Sequence, residues 1–198
     1  MKFTLMIYLK IKRKIYYRQN IYLKNLVEFK SHGFTTTIKD KFKVVKVNES
    51  HIRLLKDYAN MYRRKEHYEK NIKPRILESK RFTGIGVLDN NKQKIAYLAW
   101  IDFDRIELND AEYFKKLEFN QAYFFDDHCV PEYRRNRLHK RVFEERISYC
   151  MGANTNEIFI AIMNDNKIAI NNLNKFEFKL IKSISVYPLI RLLGSKQS

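Results

Sequence analysis

The chain has 198 residues, 45% of them hydrophobic, with 39 Lys and Arg against 22 Asp and Glu, a formal charge of +17. That length and apolar content are ample for one domain and one core. The charge implies affinity for anionic partners, whether phosphorylated cofactors, nucleic acid or an anionic membrane surface, although a Lys-, Asn-, Ile-, Tyr- and Phe-rich composition supplies part of it.

Several classes are argued against. There is no C-x-x-C, no H-E-x-x-H and no Gly-rich Walker loop, and the five histidines are scattered, so no metal site is expected. Internal repeats and low-complexity tracts are lacking. Cys129 and Cys150 both lie in apolar patterns and read as reduced packing residues of a cytoplasmic protein.

Residues 1–40 read as a basic N-terminal extension. The apolar run Phe3–Leu9 is too short to span a bilayer. Lys10, Lys12, Arg13, Lys14 and Arg18 follow that run rather than precede it, unlike a signal peptide. An extra helix or strand packed on the domain is the favoured reading. A peripheral membrane contact through a basic interfacial helix is the alternative. Ser31-His32-Gly33 interrupts the pattern, and Thr35 to Asp40 reads as a connector.

Phe42–Val47 reads as a strand. Glu49-Ser50-His51 then opens a helix with Ile52, Leu54, Leu55, Tyr58 and Met61 inward. A second helical stretch, about 64–79, is kinked or broken at Pro74. Arg81–Leu88 and Lys94–Phe103 flank the turn-forming Asp89-Asn90-Asn91-Lys92 and predict a hairpin. Residues 102–116 read as loop plus a helical turn. Glu157–Ile162 is a short strand. Asn164-Asp165-Asn166 starts a helix to Phe176 with Ile168, Ala169 and Leu173 inward, and 178–186 is a closing strand.

The stretch that organises the chain is 121–152. Ala122-Tyr123-Phe124-Phe125, resumed by Cys129-Val130, suits a strand buried on both faces. Asp126, Asp127 and His128 interrupt it, and such groups are costly there unless paired or hydrated. Pro131 stops the ladder. Leu138, Val142 and Tyr149, with Phe143, Ile147 and Cys150 beside them, form a helical stripe that ends at Gly152. Arg134, Arg135, Arg137, Lys140 and Arg141 crowd the start of that helix. Cations there oppose the helix dipole, each by about 0.3–1 kcal/mol. A bound polyanion reverses the sign, because free N–H groups, dipole and side chains then act together.

Cys129-Val130-Pro131-Glu132-Tyr133-Arg134 followed by a helix resembles the central motif of the GNAT acyltransferase superfamily. The resemblance runs over about residues 42–187. It implies an α/β (α+β) fold with a mixed, mostly antiparallel central sheet flanked by helices. Residues 41–198 would be the acyltransferase domain and 1–40 an N-terminal extension. In the family, an Arg/Gln-x-x-Gly-x-Gly/Ala loop binds the pyrophosphate of acetyl-coenzyme A through backbone amides. Here the loop is Arg134-Arg135-Asn136-Arg137-Leu138-His139, and Arg137 and His139 stand in place of the small residues, where they would either bind phosphate by side chain or block the site. The later N-x-x-A and K-x-G-F motifs are matched by Asn166, Ala169, Lys175 and Phe178, with Glu177 in place of the Gly. The resemblance thus implies acetyl-coenzyme A, or another acyl-coenzyme A, at Cys129, Val130, Arg134, Arg135, Asn136, Arg137, Leu138, His139 and Asn166. The Tyr that protonates the leaving thiolate in many members corresponds to Leu173 here.

The resemblance also implies that the residues four and two places before the motif Val, Asp126 and His128, face the acceptor. Asp126 or His128 is the expected base, with backbone amides near His128 and Val130 polarising the thioester carbonyl. The competing reading of Asp126, Asp127 and His128 is a satisfied structural network. Tyr62, Arg63, His67 and Tyr68 would line the acceptor side. The expected activity is acyl transfer to an amine of a small molecule such as an amino sugar or amino acid. Two alternatives are an RNA-directed member, such as an aminoacyl-tRNA acetylating toxin, and a degenerate module that binds coenzyme A without catalysis.

Overall fold

The computed structural model describes residues 17–26, 37–62 and 66–186. The apolar–basic run at 3–14, the break at 31–33, Arg63 and the last residues lie outside them. In chain order the strands are β1 (Tyr17–Asn25), β2 (Phe42–Val47), β3 (Phe82–Asp89), β4 (Lys94–Asp102), β5 (Arg105–Leu108), β6 (Tyr113–Lys116), β7 (Gln121–Cys129), β8 (Glu157–Met163) and β9 (Lys179–Val186). The helices are α1 (Ile52–Tyr62), α2 (Lys73–Leu77), α3 (Leu138–Gly152) and α4 (Lys167–Lys175). The chain divides into two compact units, residues 25–105 with 117–158, and residues 1–24 with 106–116 and 159–198.

The larger unit holds the candidate site. Its antiparallel strands run in the order β2-β3-β4-β7, with Val45 opposite Gly86, Ile85 opposite Ala99 and Trp100 opposite Phe125. Successive side chains of a strand point to opposite faces. On β4, Trp100 meets Arg75 of α2, whereas Tyr97 meets His139 of α3. Helices α1 and α2 therefore cover one face and α3 the other. A one-turn 3₁₀ segment, Glu49–His51, leads into α1, and Asn48 caps it in a reciprocal capping box with His51. The expected second helix is a π-helical turn, Tyr68–Ile72, continuing into α2 with Pro74 in the first turn, where a missing N–H costs nothing. Leu55, Tyr58 and Ala59 of α1 are buried, but Met61, expected inward, is exposed.

The smaller unit contains residues 17–24 of the expected extension, and residues 25–26 and 37–40 belong to the larger unit. Residues 17–25 are strand β1, paired antiparallel with β9, Tyr17 opposite Val186. Lys24 is buried there and its ammonium reaches Glu177 at 2.9 Å. Residues 105–116, read from sequence as loop plus helical turn, form β5 and β6, a two-stranded pair joined by a 3₁₀ turn. The signal was the alternation of Ile106 and Leu108, both buried, too short to stand out among polar neighbours. On α4 Leu173 is buried while Ile168, expected inward, is exposed.

Gly84 leaves the space into which Val47 of β2 and Trp100 of β4 lean over β3. A Cβ there would lie 2.2 Å from Val47 Cγ2 and 2.9 Å from the Trp100 ring. Gly84→Ala is expected to lower stability by about 1–3 kcal/mol through overpacking. Urea unfolding measures this. Val47→Ala in the same chain should recover part of the loss, and an unchanged midpoint for Gly84→Ala would contradict the tight packing.

Candidate active site

β7 carries one residue more than its partner. Leu98 pairs with His128 and Trp100 with Phe125, so Asp126 and Asp127 together stand opposite Ala99. The extra residue is a β-bulge, and Asp126 has φ 51°. Strict alternation would put Asp126 with Phe124, which packs against Phe143 of α3. The bulge instead brings Asp126 and His128 onto the α1–α2 face with Phe125 and turns Asp127 toward α3.

Each of the three polar side chains has a partner. Arg75 Nη1 donates to Asp126 Oδ2 at 2.6 Å, and the Nε2 of His67 lies 3.9 Å from the same oxygen. The Arg75 guanidinium also lies over the rings of Phe125 and Trp100. Arg146 holds Asp127 with two hydrogen bonds, of 2.6 and 3.0 Å, and Tyr97 Oη donates to the same carboxylate at 2.8 Å. The Arg146 side chain is fully buried. Burial, reinforced by Asp127, pushes the Tyr97 hydroxyl well above the ordinary phenol range, so it stays protonated and donating. His128 Nδ1 lies 2.7 Å from Tyr58 Oη, with the two rings edge to face. The structural-network reading therefore fits all three side chains, Asp127 by the largest number of hydrogen bonds. Asp126 and His128 lie together on the α1–α2 face.

The basic turn follows. Pro131–Tyr133 form a 3₁₀ turn on buried Tyr133, and α3 starts at Leu138. Arg135 has φ 65° and Arg137 φ 60°, so the backbone adopts the left-handed conformation that glycine favours, without glycine. For an L side chain that conformation costs about 1–2 kcal/mol per residue. Arg137 is the N-cap of α3 and makes no side-chain cap. The N–H groups of the first helical turn point out of the helix end with their dipole unopposed. Arg134, Arg135, Arg137 and Lys140 are exposed around them, while Asn136 is tied to the Tyr133 carbonyl at 2.9 Å. Leu138 is buried.

Two expectations change here. His139 packs against Phe143 and Tyr97, and burial lowers the pKa of its imidazole, so its side chain is no phosphate ligand. Its backbone remains in the first helical turn. The Val130 N–H donates to the Ala96 carbonyl at 3.0 Å, so it is not a donor for a thioester oxygen. Cys129 is half-buried, its thiol pushed up by burial, and its Sγ donates to the Val130 carbonyl. Asn166, in the smaller unit, caps α4 by accepting from the Ala169 N–H at 3.2 Å. Tyr68 is buried with Lys56 over its ring and belongs to the core. Tyr62 is half-buried.

A cleft of about 340 Å³ opens beside Arg75, lined by Asn48, Glu49, Ser79, Phe82 and Trp100 among others. Arg75 thus connects the wall of the cleft to Asp126. Among the described residues no group of three or more His, Cys, Asp or Glu side chains comes together to hold a metal ion. No helix among them is long and apolar enough to cross a membrane.

Sequence reasoning did not single out Arg75 or Arg146, and it placed Tyr58 only in the core. For Arg146 there was a signal. It interrupts the apolar stripe of α3 between Phe143 and Ile147, and an arginine in such a stripe calls for a buried anion.

The arrangement of sheet and helices is shared with known proteins. No protein-family model matches the sequence, and no curated protein does. Solved structures do match by fold. A tandem GNAT protein from the clavulanic acid biosynthesis pathway aligns with a TM-score of 0.64 at 10% identity, over 87% of this chain and 54% of its own. A GCN5-related N-acetyltransferase from Sphaerobacter thermophilus gives 0.58 at 7% identity, over 92% and 55%. The PaiA N-acetyltransferase from Thermoplasma acidophilum, solved with coenzyme A, gives 0.53 at 13%, over 74% and 98%. The chain therefore has the fold of the GNAT acetyltransferases, a mostly antiparallel sheet flanked by helices. It spans about half the length of the first two proteins.

Two measurements test the polar network. Arg146→Met and Asp127→Asn should each cost about 3–5 kcal/mol by leaving the opposite charge unpaired. The double variant should lose less than the sum, by about 1–3 kcal/mol, in urea unfolding. Strict additivity would mean that the pair is not coupled. His139 gives a pH test. Its folded pKa lies below the ordinary 6.5, so its contribution is intact above that pH and is lost as pH falls toward the folded value. His139→Phe should lose less stability than the natural chain between pH 7.5 and 5.5. Equal losses would place the imidazole in water.

Proposed function

We propose that the chain is an acyl-coenzyme A-dependent N-acyltransferase, acetyl-coenzyme A being the simplest donor, acting on the amine of a small molecule such as an amino sugar or amino acid. The observation that carries this reading is the turn before α3. On a GNAT fold it has left-handed residues at Arg135 and Arg137, an uncapped helix start and a ring of arginines. Strain of that kind persists where surrounding structure enforces it, commonly at ligand sites. The residues fit a diphosphate. First-turn N–H groups of α3 would donate to it, with Arg134, Arg135 and Arg137 supplying charge.

When bound, the thioester supplies an activated acyl group. The chain's own residues do the rest. The cleft beside Arg75 has the volume of small-molecule sites, which favours a small acceptor. Asp126, hydrogen-bonded to Arg75, would attract an ammonium group from that side and take its proton, directly or through water. Taking a proton would discharge the ion pair with Arg75, so the proton passes on to solvent.

Calorimetry of the full chain with acetyl-coenzyme A tests the donor. Binding is expected, and Arg134→Ala should weaken it about tenfold, the loss of one charge-assisted hydrogen bond. Asp126→Asn should keep that binding and lose thiol release in the presence of a panel of small amines. No heat with millimolar acetyl-coenzyme A would reject the enzyme reading.

A further inference from the structure

Arg75 holds more donors than its partner uses. Its side chain is 15% exposed and lines the cleft. A guanidinium carries several N–H donors and no acceptor. Asp126 Oδ2 accepts from Nη1 at 2.6 Å, and among the described residues nothing else accepts from Arg75. Its Nε and Nη2 are not sealed from solvent. The guanidinium is held in place over the rings of Phe125 and Trp100, 4.7 and 5.3 Å from their centroids. A planar cation fixed in this way and short of acceptors suits a carboxylate, whose two oxygens match parallel N–H groups.

The other charges of the cleft select further. Lys46 is engaged elsewhere, its ammonium 2.9 Å from Tyr149 Oη on α3. Glu49 is exposed on the lining and has no ion-pair partner among the described residues. Two carboxylates, Glu49 and Asp126, thus accompany the Arg75 guanidinium. Both acids repel a lone anion. A lone amine leaves the N–H groups of Arg75 unanswered. A ligand with both charges meets both demands, its carboxylate on Arg75 and its ammonium drawn by the acids. Phe82, Trp100 and Ile76 add apolar wall. The volume of about 340 Å³ lies at the small end of ligand sites, which run from about 300 Å³ upward.

Resting on the transferase reading, we infer that the acceptor is an α-amino acid with an apolar side chain. Its carboxylate is bound by the free N–H groups of Arg75, and its side chain lies along Phe82 and Trp100. Arg75 is then a specificity-determining residue as well as the partner of Asp126. An amino sugar has no carboxylate to offer and is not the preferred acceptor.

Trp100 is the only tryptophan of the chain and lines the cleft, so its emission reports occupancy without turnover. The full chain is titrated with L-leucine and L-phenylalanine, with L-leucinamide, which lacks the carboxylate, with isocaproate, which lacks the amine, and with glucosamine. Each titration is run with and without coenzyme A. The amino acids are expected to change the emission saturably in the millimolar range. Leucinamide and isocaproate should bind at least about tenfold more weakly than leucine, the loss of one charge-assisted hydrogen bond. Glucosamine should bind more weakly still. Arg75→Lys, which keeps the charge and loses the planar donors, should bring leucine and leucinamide to within about twofold of each other. No response to either amino acid in either state overturns the proposal. So does leucinamide, isocaproate or glucosamine binding as tightly as leucine. An undiminished preference for leucine in folded Arg75→Lys removes Arg75 from the role, and if that variant does not fold, the ligand panel on the natural chain still decides the class. Acetyl-coenzyme A binding by calorimetry without a leucine response rejects the acceptor class alone. A leucine-selective response without acetyl-coenzyme A binding rejects the transferase reading and upholds the ligand class of the cleft.

Discussion

One inserted residue in β7 governs the arrangement of the site. Without it, Asp126 would share the α3 face with Phe124, and Asp127 would face α1 and α2. With it, each carboxylate meets its own arginine, Asp126 with Arg75 on one face and Asp127 with Arg146 on the other. A strand that is otherwise aromatic and buried can hold two acids only if both are compensated. The bulge makes that compensation geometrically consistent, and it brings His128 Nδ1 to the Tyr58 hydroxyl.

The two arginines answer different demands. Arg146 is fully enclosed and is held by Asp127, with Phe124 and Phe143 against its guanidinium plane. It ties the middle of α3 to the sheet. Arg75 remains at the wall of the cleft, stacked on Trp100 and Phe125, and can respond to what enters. The two ion pairs thus lie on opposite faces of one strand.

Much of the larger unit was legible because its patterns are long and regular. The hairpin of β3 and β4 was announced by two apolar runs around Asp89-Asn90-Asn91-Lys92. The strand–turn–helix of 121–152 was announced by Pro131 and a helical stripe. What stayed hidden depends on pairing across the fold. Nothing local to Arg75 names Asp126 as its partner, fifty-one positions away. Tyr58 sat in an apolar stripe and read only as core. His139, standing where the resembling loop has a small residue, read as either a phosphate ligand or a block, yet its helical phase turns it onto Tyr97 and Phe143. β5 and β6 were missed because four-residue strands leave too few alternations to register.

The left-handed turn at Arg135 and Arg137 shows that a backbone shape can be held without the residue that suits it best. Once Tyr133 is anchored below and α3 is pinned by Arg146, the path between them is dictated from both ends, and the intervening side chains have little vote. A search keyed to glycine spelling would pass over this loop, whereas one keyed to torsion angles would stop at it.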